Sequence, residues 1–235
     1  MRECNKKINL NIKTVYQKKD ECGMACLKMV LDYYKINSTM DRLIKETSSN
    51  SLKSADWYFR MGITAIDYGL NAEIITYSTR IFDSTWFDFS PDKLLSKLEK
   101  EYTYFKKNKK DKWTTEEAKQ AVEFLKKGGR INFSTLTHRL FTKYLQNNIP
   151  LIAPINANIV FPSNKRMVNN ISDDVKGASF GHVVLISGIS NSRVLINEPG
   201  GDVMKLNKKG TCLVESSIII EAVLRGDMHL LAIYK

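Results

Sequence analysis

Cys22 stands inside the run "QKKDECGMACLKMVL" (residues 17–31), where apolar residues begin to recur at helical spacing. Met24, Leu27, Leu31 and Tyr34 keep that spacing and predict a helix from Cys22 to about Lys35. N–H groups in the first turn of a helix have no intrahelical acceptor and carry partial positive charge. A thiolate placed there is stabilised, which is how a cysteine becomes a nucleophile. A cysteine taken alone is more often a small buried apolar side chain. Cys26, one turn deeper in the same pattern, reads that way.

A nucleophilic thiol needs a base, and the base needs a group to orient it. The chain has three histidines. His138 falls within an amphipathic helical pattern, and His229 leads into the final apolar run "HLLAIY". His182 follows a glycine and opens "HVVLISGI", so its ring can face a cleft while the strand behind it is anchored in the core. Beyond a short turn, "RVLINEPGG" brings Asn197 and Glu198 to the end of a neighbouring strand. If the two runs pair as a hairpin, that end lies near His182. Strand alternation points Asn197 and Glu198 to opposite faces, so only one of them can meet the imidazole. The plainer reading of "NEPGG" is a turn.

The elements that must position these groups divide the chain in two. Its first part reads as helices: 22–35, about 40–46, 54–68, from Ser90-Pro91 towards Lys107, and "TTEEAKQAVEFLKKGG". Ser90 is placed to cap its helix ahead of Pro91, and Thr114 with Glu117 matches a capping box. "NAEIITYS" and "RINFS" are strand candidates, and "TLTHRLFTKYLQNN" is a further amphipathic helix. From Pro150 onward, short β-rich runs take over ("PLIAPIN", "HVVLISGI", "RVLINEP", "DVMKL", "HLLAIY"), interrupted by a helix near 217–224. This order predicts an α+β fold in a single domain over 1–235, helical over about 16–148 and β-rich over about 149–235. The long polar stretch 156–181, just before His182, reads either as a lid or as a surface insertion.

Composition narrows the function classes. Hydrophobic residues make up 43% and charged residues 26%, the balance of a globular chain. Thirty-six Lys and Arg against 25 Asp and Glu give a formal charge of +11. Such an excess could attract nucleic acid, an anionic membrane surface or an acidic polypeptide. No aromatic-interleaved basic motif of a nucleic-acid module accompanies it, so runs such as "FKKNKKDKW" (105–113) read as solvated faces. The N-terminus lacks the pattern of a signal peptide, and no run reaches the ~18 apolar residues of a membrane span. A cytoplasmic location is expected. The four cysteines (Cys4, Cys22, Cys26, Cys212) contain no C-x-x-C pair, which argues against a metal site, and no cofactor is expected. Nothing in the sequence specifies an oligomeric state.

The segment "Q…CGMACLKMVLDYY" resembles the active-site segment of the C39-like cysteine peptidases, within the wider papain-like group. Glu21 supplies the acidic residue that the family carries before its cysteine. "GHVVLISGI…VLINEP" is similar to the family's histidine strand and the Asp-Pro strand that follows it. The motifs bracket residues 17–199, and the middle, about 36–149, matches none. The resemblance implies a papain-like fold with a cleft between its helical and β-rich parts. It also implies Cys22 as nucleophile, His182 as base and later proton donor, and Glu198 as the orienting acid. Gln17 would then share the oxyanion hole with the Cys22 N–H. The chain departs from the family in two places. One residue fewer separates Gln17 from Cys22, and Glu replaces Asp at 198, where Asn197 is the alternative, as an asparagine serves in papain-like enzymes. The activity implied is cleavage of a peptide or amide bond through an acyl-enzyme. Two alternatives are transfer of the acyl group to an amine or thiol, and a non-catalytic peptide-binding module. The double-glycine leader cleavage of transporter-linked C39 peptidases does not carry over as a substrate.

Overall fold

The computed structural model describes residues 7–18, 21–47, 57–161, 173–200 and 210–235. The elements, in chain order, are β1 (Lys7–Asn9), α1 (Cys22–Tyr33), α2 (Met40–Thr47), α3 (Trp57–Asp67), β2 (Asn71–Thr76), α4 (Pro91–Lys107), α5 (Lys112–Lys126) and β3 (Arg130–Asn132). They continue with α6 (His138–Gln146), β4 (Leu151–Asn156), α7 (Ala157–Val160), β5 (Gly181–Ser190), β6 (Arg193–Asn197), β7 (Thr211–Glu215), α8 (Ser216–Leu224) and β8 (His229–Tyr234). A short 3-10 turn, Ser84–Trp86, precedes α4. The fold is α+β, as the order of patterns predicts.

The strands form one mixed sheet in the order β3-β2-β8-β4-β5-β6-β7. The β2–β3 pair is parallel and the remaining pairs are antiparallel. β1 joins β5 beyond the point where β4 begins, with Ile8 opposite Ile189. A side chain at Gly188 would come within 2.6 Å of the Ile8 carbonyl, so only glycine lets β1 approach there. The helical and β-rich parts therefore share a sheet, because β2 and β3 come from the helical part.

Helices cover both faces. Side chains of α1 to α5 pack with Ile74, Ile152, Val183, Leu185, Leu231 and Ile233 on one face. α6 and α8 pack with Ile75, Ala153, Val184, Ile186 and Leu230 on the other. This explains the near-continuous apolar run of β5, which is buried from His182 to Ile189.

Some expectations need correction. The box between Thr114 and Glu117 does not form: α5 begins earlier, and Asp111 is its cap, accepting from the Thr114 N–H at 2.9 Å. Glu117 is instead fully buried, bonded to the Tyr58 hydroxyl at 2.7 Å and paired with Arg80 at 2.5 Å. β1 and β7 arise where no strand was expected. The strand expected at "DVMKL" (202–206) and Cys4 lie outside the described residues. So do the start of the 54–68 helix and, over 162–172, the centre of the stretch read as a lid. The base of that stretch is closed: Ala157 N–H donates to the Phe180 carbonyl at 3.0 Å, and Phe180 N–H to Asn158 Oδ1 at 3.1 Å.

Candidate active site

α1 begins at Cys22. Its buried stripe, with Ala25, Cys26, Leu27, Met29, Val30 and Leu31, seats the helix on the sheet and fixes where it starts. Glu21 occupies the cap position but makes no side-chain capping bond, so its carboxylate does not neutralise the first-turn N–H groups. The helix ends where Lys35 turns into the left-handed region (φ 61°) and Ile36 N–H bonds back to the Leu31 carbonyl. Cys26 is wholly buried, with its Sγ 3.5 Å from the Val183 carbonyl oxygen. That contact ties α1 to the opening of β5, next to His182.

His182 is the second residue of β5, opposite Ile155 of β4. On one side its ring lies close enough to Cys22 for the thiol to act on its charge. On the other side Nε2 bonds to Oε1 of Glu198, a residue with no exposed surface. An ionised carboxylate only accepts, so Nε2 carries a proton and Nδ1 is the nitrogen left for the thiol. Burial alone would push the imidazole towards its neutral form. The Cys22 thiol beside the ring and the Glu198 carboxylate that accepts from Nε2 outweigh it and raise the pKa to about 9.

Glu198 follows the last residue of β6 and is itself held. The Gly200 N–H donates to its Oε1 at 2.6 Å, and its own N–H donates to the Gly210 carbonyl at 2.9 Å. A side chain at 200 would stand 2.8 Å from the carboxylate oxygen, so "NEPGG" is both a turn and a carboxylate cradle. The sequence reading saw only the Pro-Gly break there and missed Gly200 as a donor.

Asn197 is equally buried but faces elsewhere. Its Oδ1 accepts from the Ser187 hydroxyl at 2.5 Å, and its Nδ2 donates to the Ile12 carbonyl at 2.9 Å and Thr14 Oγ1 at 2.8 Å. It pins the segment leading to Gln17 and makes no bond to His182. Gln17 donates its backbone N–H to the Pro199 carbonyl at 2.9 Å. The segment before α1 is thus stitched to the residue after Glu198.

The other histidines are placed apart. His138 Nδ1 lies 2.7 Å from Ser216 Oγ, joining α6 to α8. His229 is fully buried, stacked on Tyr58 at 4.0 Å with Nε2 3.7 Å from Glu117. Among the described residues, no group of three His, Cys, Asp or Glu side chains is arranged to hold a metal. None of their helices is long and apolar enough to cross a membrane.

Residues 9–212 match the model of the Peptidase_C39-like family. The chain belongs to that family. The C39-like family is one of cysteine peptidases, and the match runs from β1 through Cys22, His182 and Glu198 into β7. No curated protein sequence matches the chain. Among solved structures, it is similar to a protein from Bacillus anthracis assigned to the C39-like peptidases, at 11% identity and TM-score 0.49, covering 98% of both chains. It is also similar to a double-glycine-motif protease from an AMS/PCAT transporter, solved with its leader peptide. That match has 16% identity and TM-score 0.45, over 97% of this chain and 98% of the other.

Proposed function

We propose that this C39-like protein is a thiol peptidase or amidase that hydrolyses a peptide or amide bond through an acyl-enzyme. The observation that carries the reading is the relay Cys22–His182–Glu198. A half-buried thiol at an uncapped helix start meets an imidazole whose far nitrogen is held by a buried carboxylate. Cys22 Sγ, its proton passed to Nδ1 of His182, attacks the carbonyl carbon and forms the S–C bond as the carbonyl π pair moves onto oxygen. The oxyanion gathers at the Cys22 N–H and the Gln17 amide, where α1 begins. The imidazolium gives its Nδ1 proton to the leaving nitrogen as the C–N bond breaks. Water then attacks the thioester, passes one proton to Nδ1, and the intermediate collapses to the thiolate and a carboxylic acid, which loses its remaining proton to solvent.

Glu198 keeps the ring in the tautomer that faces Nδ1 to the thiol and stabilises the imidazolium by a charge-assisted hydrogen bond. Asn197 serves the segment that carries Gln17. The test is labelling with an iodoacetamide-type probe, mapping of the modified residue, and turnover of a peptide library with and without added amine. Labelling at Cys22, with turnover lost in Cys22→Ala, supports hydrolysis. Products carrying the added amine would move the reading to acyl transfer. An unreactive Cys22 would leave a peptide-binding module.

A further inference from the structure

The helical hairpin of α4 and α5 ends in a tip that nothing in the proposed chemistry uses. Residues 106–113, "KKNKKDKW", hold five lysines and one carboxylate, and every one of the eight is exposed. The carboxylate, Asp111, caps α5 by accepting from the Thr114 N–H, and leaves the tip with a clear excess of positive charge. Two aromatic side chains flank the lysines, Tyr104 at 63% exposure and Trp113 at 44%. Their neighbours Phe105 and Thr114 are buried, so the hairpin is anchored immediately behind the tip.

The tip also has a defined direction. His182 pairs with Ile155 near the end of β4, and β4 runs antiparallel to β8, which starts at His229. His229 in turn pairs with Thr76 at the end of β2. The ends carrying His182, His229 and Thr76 therefore lie on one edge of the sheet. Glu117, just over a turn into α5, sits 3.7 Å from His229. Lys112 and the lysines before it thus project from the same end of the molecule as Cys22 and His182.

We propose that the α4–α5 tip docks on an anionic lipid bilayer, with lysines against the headgroups and Tyr104 and Trp113 entering the interfacial layer. Clustered lysines gain about fivefold in partitioning per residue at an anionic surface. Tyrosine and tryptophan, apolar with one polar handle, favour that interface. A nucleic acid fits the tip less well. The run has no arginine for bidentate phosphate contacts, and a projecting helix turn lacks a groove to track a backbone. Docked in this way, the protein turns its Cys22–His182 end towards the membrane surface.

The test uses the full chain and co-sedimentation with sucrose-loaded vesicles of phosphatidylcholine alone or with phosphatidylglycerol. Binding is expected only with phosphatidylglycerol, weakening as salt rises. Replacing the five lysines by glutamine is expected to lower the partition coefficient more than about tenfold, with the circular dichroism spectrum and Cys22 alkylation rate unchanged. Trp113→Ala is expected to weaken binding several-fold and to remove a blue shift in fluorescence that wild type shows on the same vesicles. Equal binding by wild type and the glutamine variant overturns the proposal. So does Trp113→Ala with unchanged affinity and blue shift, or tighter lysine-dependent binding to single-stranded RNA than to the vesicles.

Discussion

Asn197 and Glu198 are consecutive residues that serve opposite sides of the chain. Glu198 holds the His182 ring, while Asn197 holds the segment running to Gln17 through Ile12 and Thr14. Two halves of the proposed chemistry, the base and the oxyanion donor, are thereby registered against the same strand end.

The first prediction separates those two roles. Glu198→Gln is expected to lower turnover at least tenfold and to lower the His182 pKa, because the charge-assisted bond is replaced by a neutral one. Asn197→Ala is expected to leave the His182 titration alone and cost about 2 kcal/mol of stability, since it strands the Ser187 hydroxyl and two partners in the segment. Histidine NMR titrations and denaturant unfolding of both variants check this. An Asn197→Ala protein with a shifted His182 and unchanged stability would return the orienting role to Asn197.

Thiol reactivity should be confined to Cys22 among the three cysteines at described positions. Cys26 has no exposed surface, and its burial, with the nearby charges of Cys22 and Glu198, pushes its thiol well above the ordinary range. Burial and the charge of Glu198 push Cys212 up to about 11. Residue-resolved alkylation at mildly acidic pH is expected to modify Cys22 at least tenfold faster than either. Faster modification of Cys26 would sink the assignment.

The two buried histidines should bound stability from opposite sides. His182 has its pKa raised from 6.5 to about 9, so the native state keeps a proton that the unfolded chain has released. Its contribution is fully present below about pH 6.5 and is lost as pH rises through about 9. His182→Ala should flatten that alkaline decline in urea-melt stability measured against pH. A decline of the same slope in the variant would assign it to other groups.

His229 has the opposite sign. Burial lowers its pKa below 6.5, against the charges of Glu117 and Asp227, so the unfolded chain takes up a proton first as pH falls. Stability from this residue is present above pH 6.5 and lost below it. His229→Phe keeps a ring against Tyr58 and is expected to move the acid-unfolding midpoint to lower pH. A midpoint that stays put would show that carboxylate protonation, not His229, drives acid unfolding.

The sequence made Cys22, His182 and Glu198 readable because their signals are local. A helix start, a buried strand and a hairpin return each lie within about a dozen residues. Glu117 was misread for the opposite reason. Its spacing from Thr114 is that of a capping box, while its partners Tyr58, Arg80 and His229 come from α3, the loop after β2 and β8. β1 escaped notice because a three-residue strand carries too little alternation to register, and Gly188 explains its seat only once β5 is known. The part played by Asn197 could not be separated from that of Glu198 until Ser187, Ile12 and Thr14 were placed around it.

Gln17 gives the last prediction. Its backbone is fixed to Pro199, and its Oε1 is buried without a hydrogen-bond partner among the described residues, which leaves Nε2 as the group the amide can offer. A donor of this kind acts on the charge that develops in the tetrahedral intermediate, not on the ground-state carbonyl. Gln17→Ala is therefore expected to lower kcat by about 10²–10³-fold, or roughly 3–4 kcal/mol, with KM nearly unchanged. The Cys22 alkylation rate should stay at the wild-type value, because that reaction builds no oxyanion. Gln17→Glu should be worse than alanine, since it sets a negative charge beside the developing one. Turnover within about twofold of wild type in Gln17→Ala would remove the amide from the oxyanion site and leave stabilisation to the N–H groups at the start of α1.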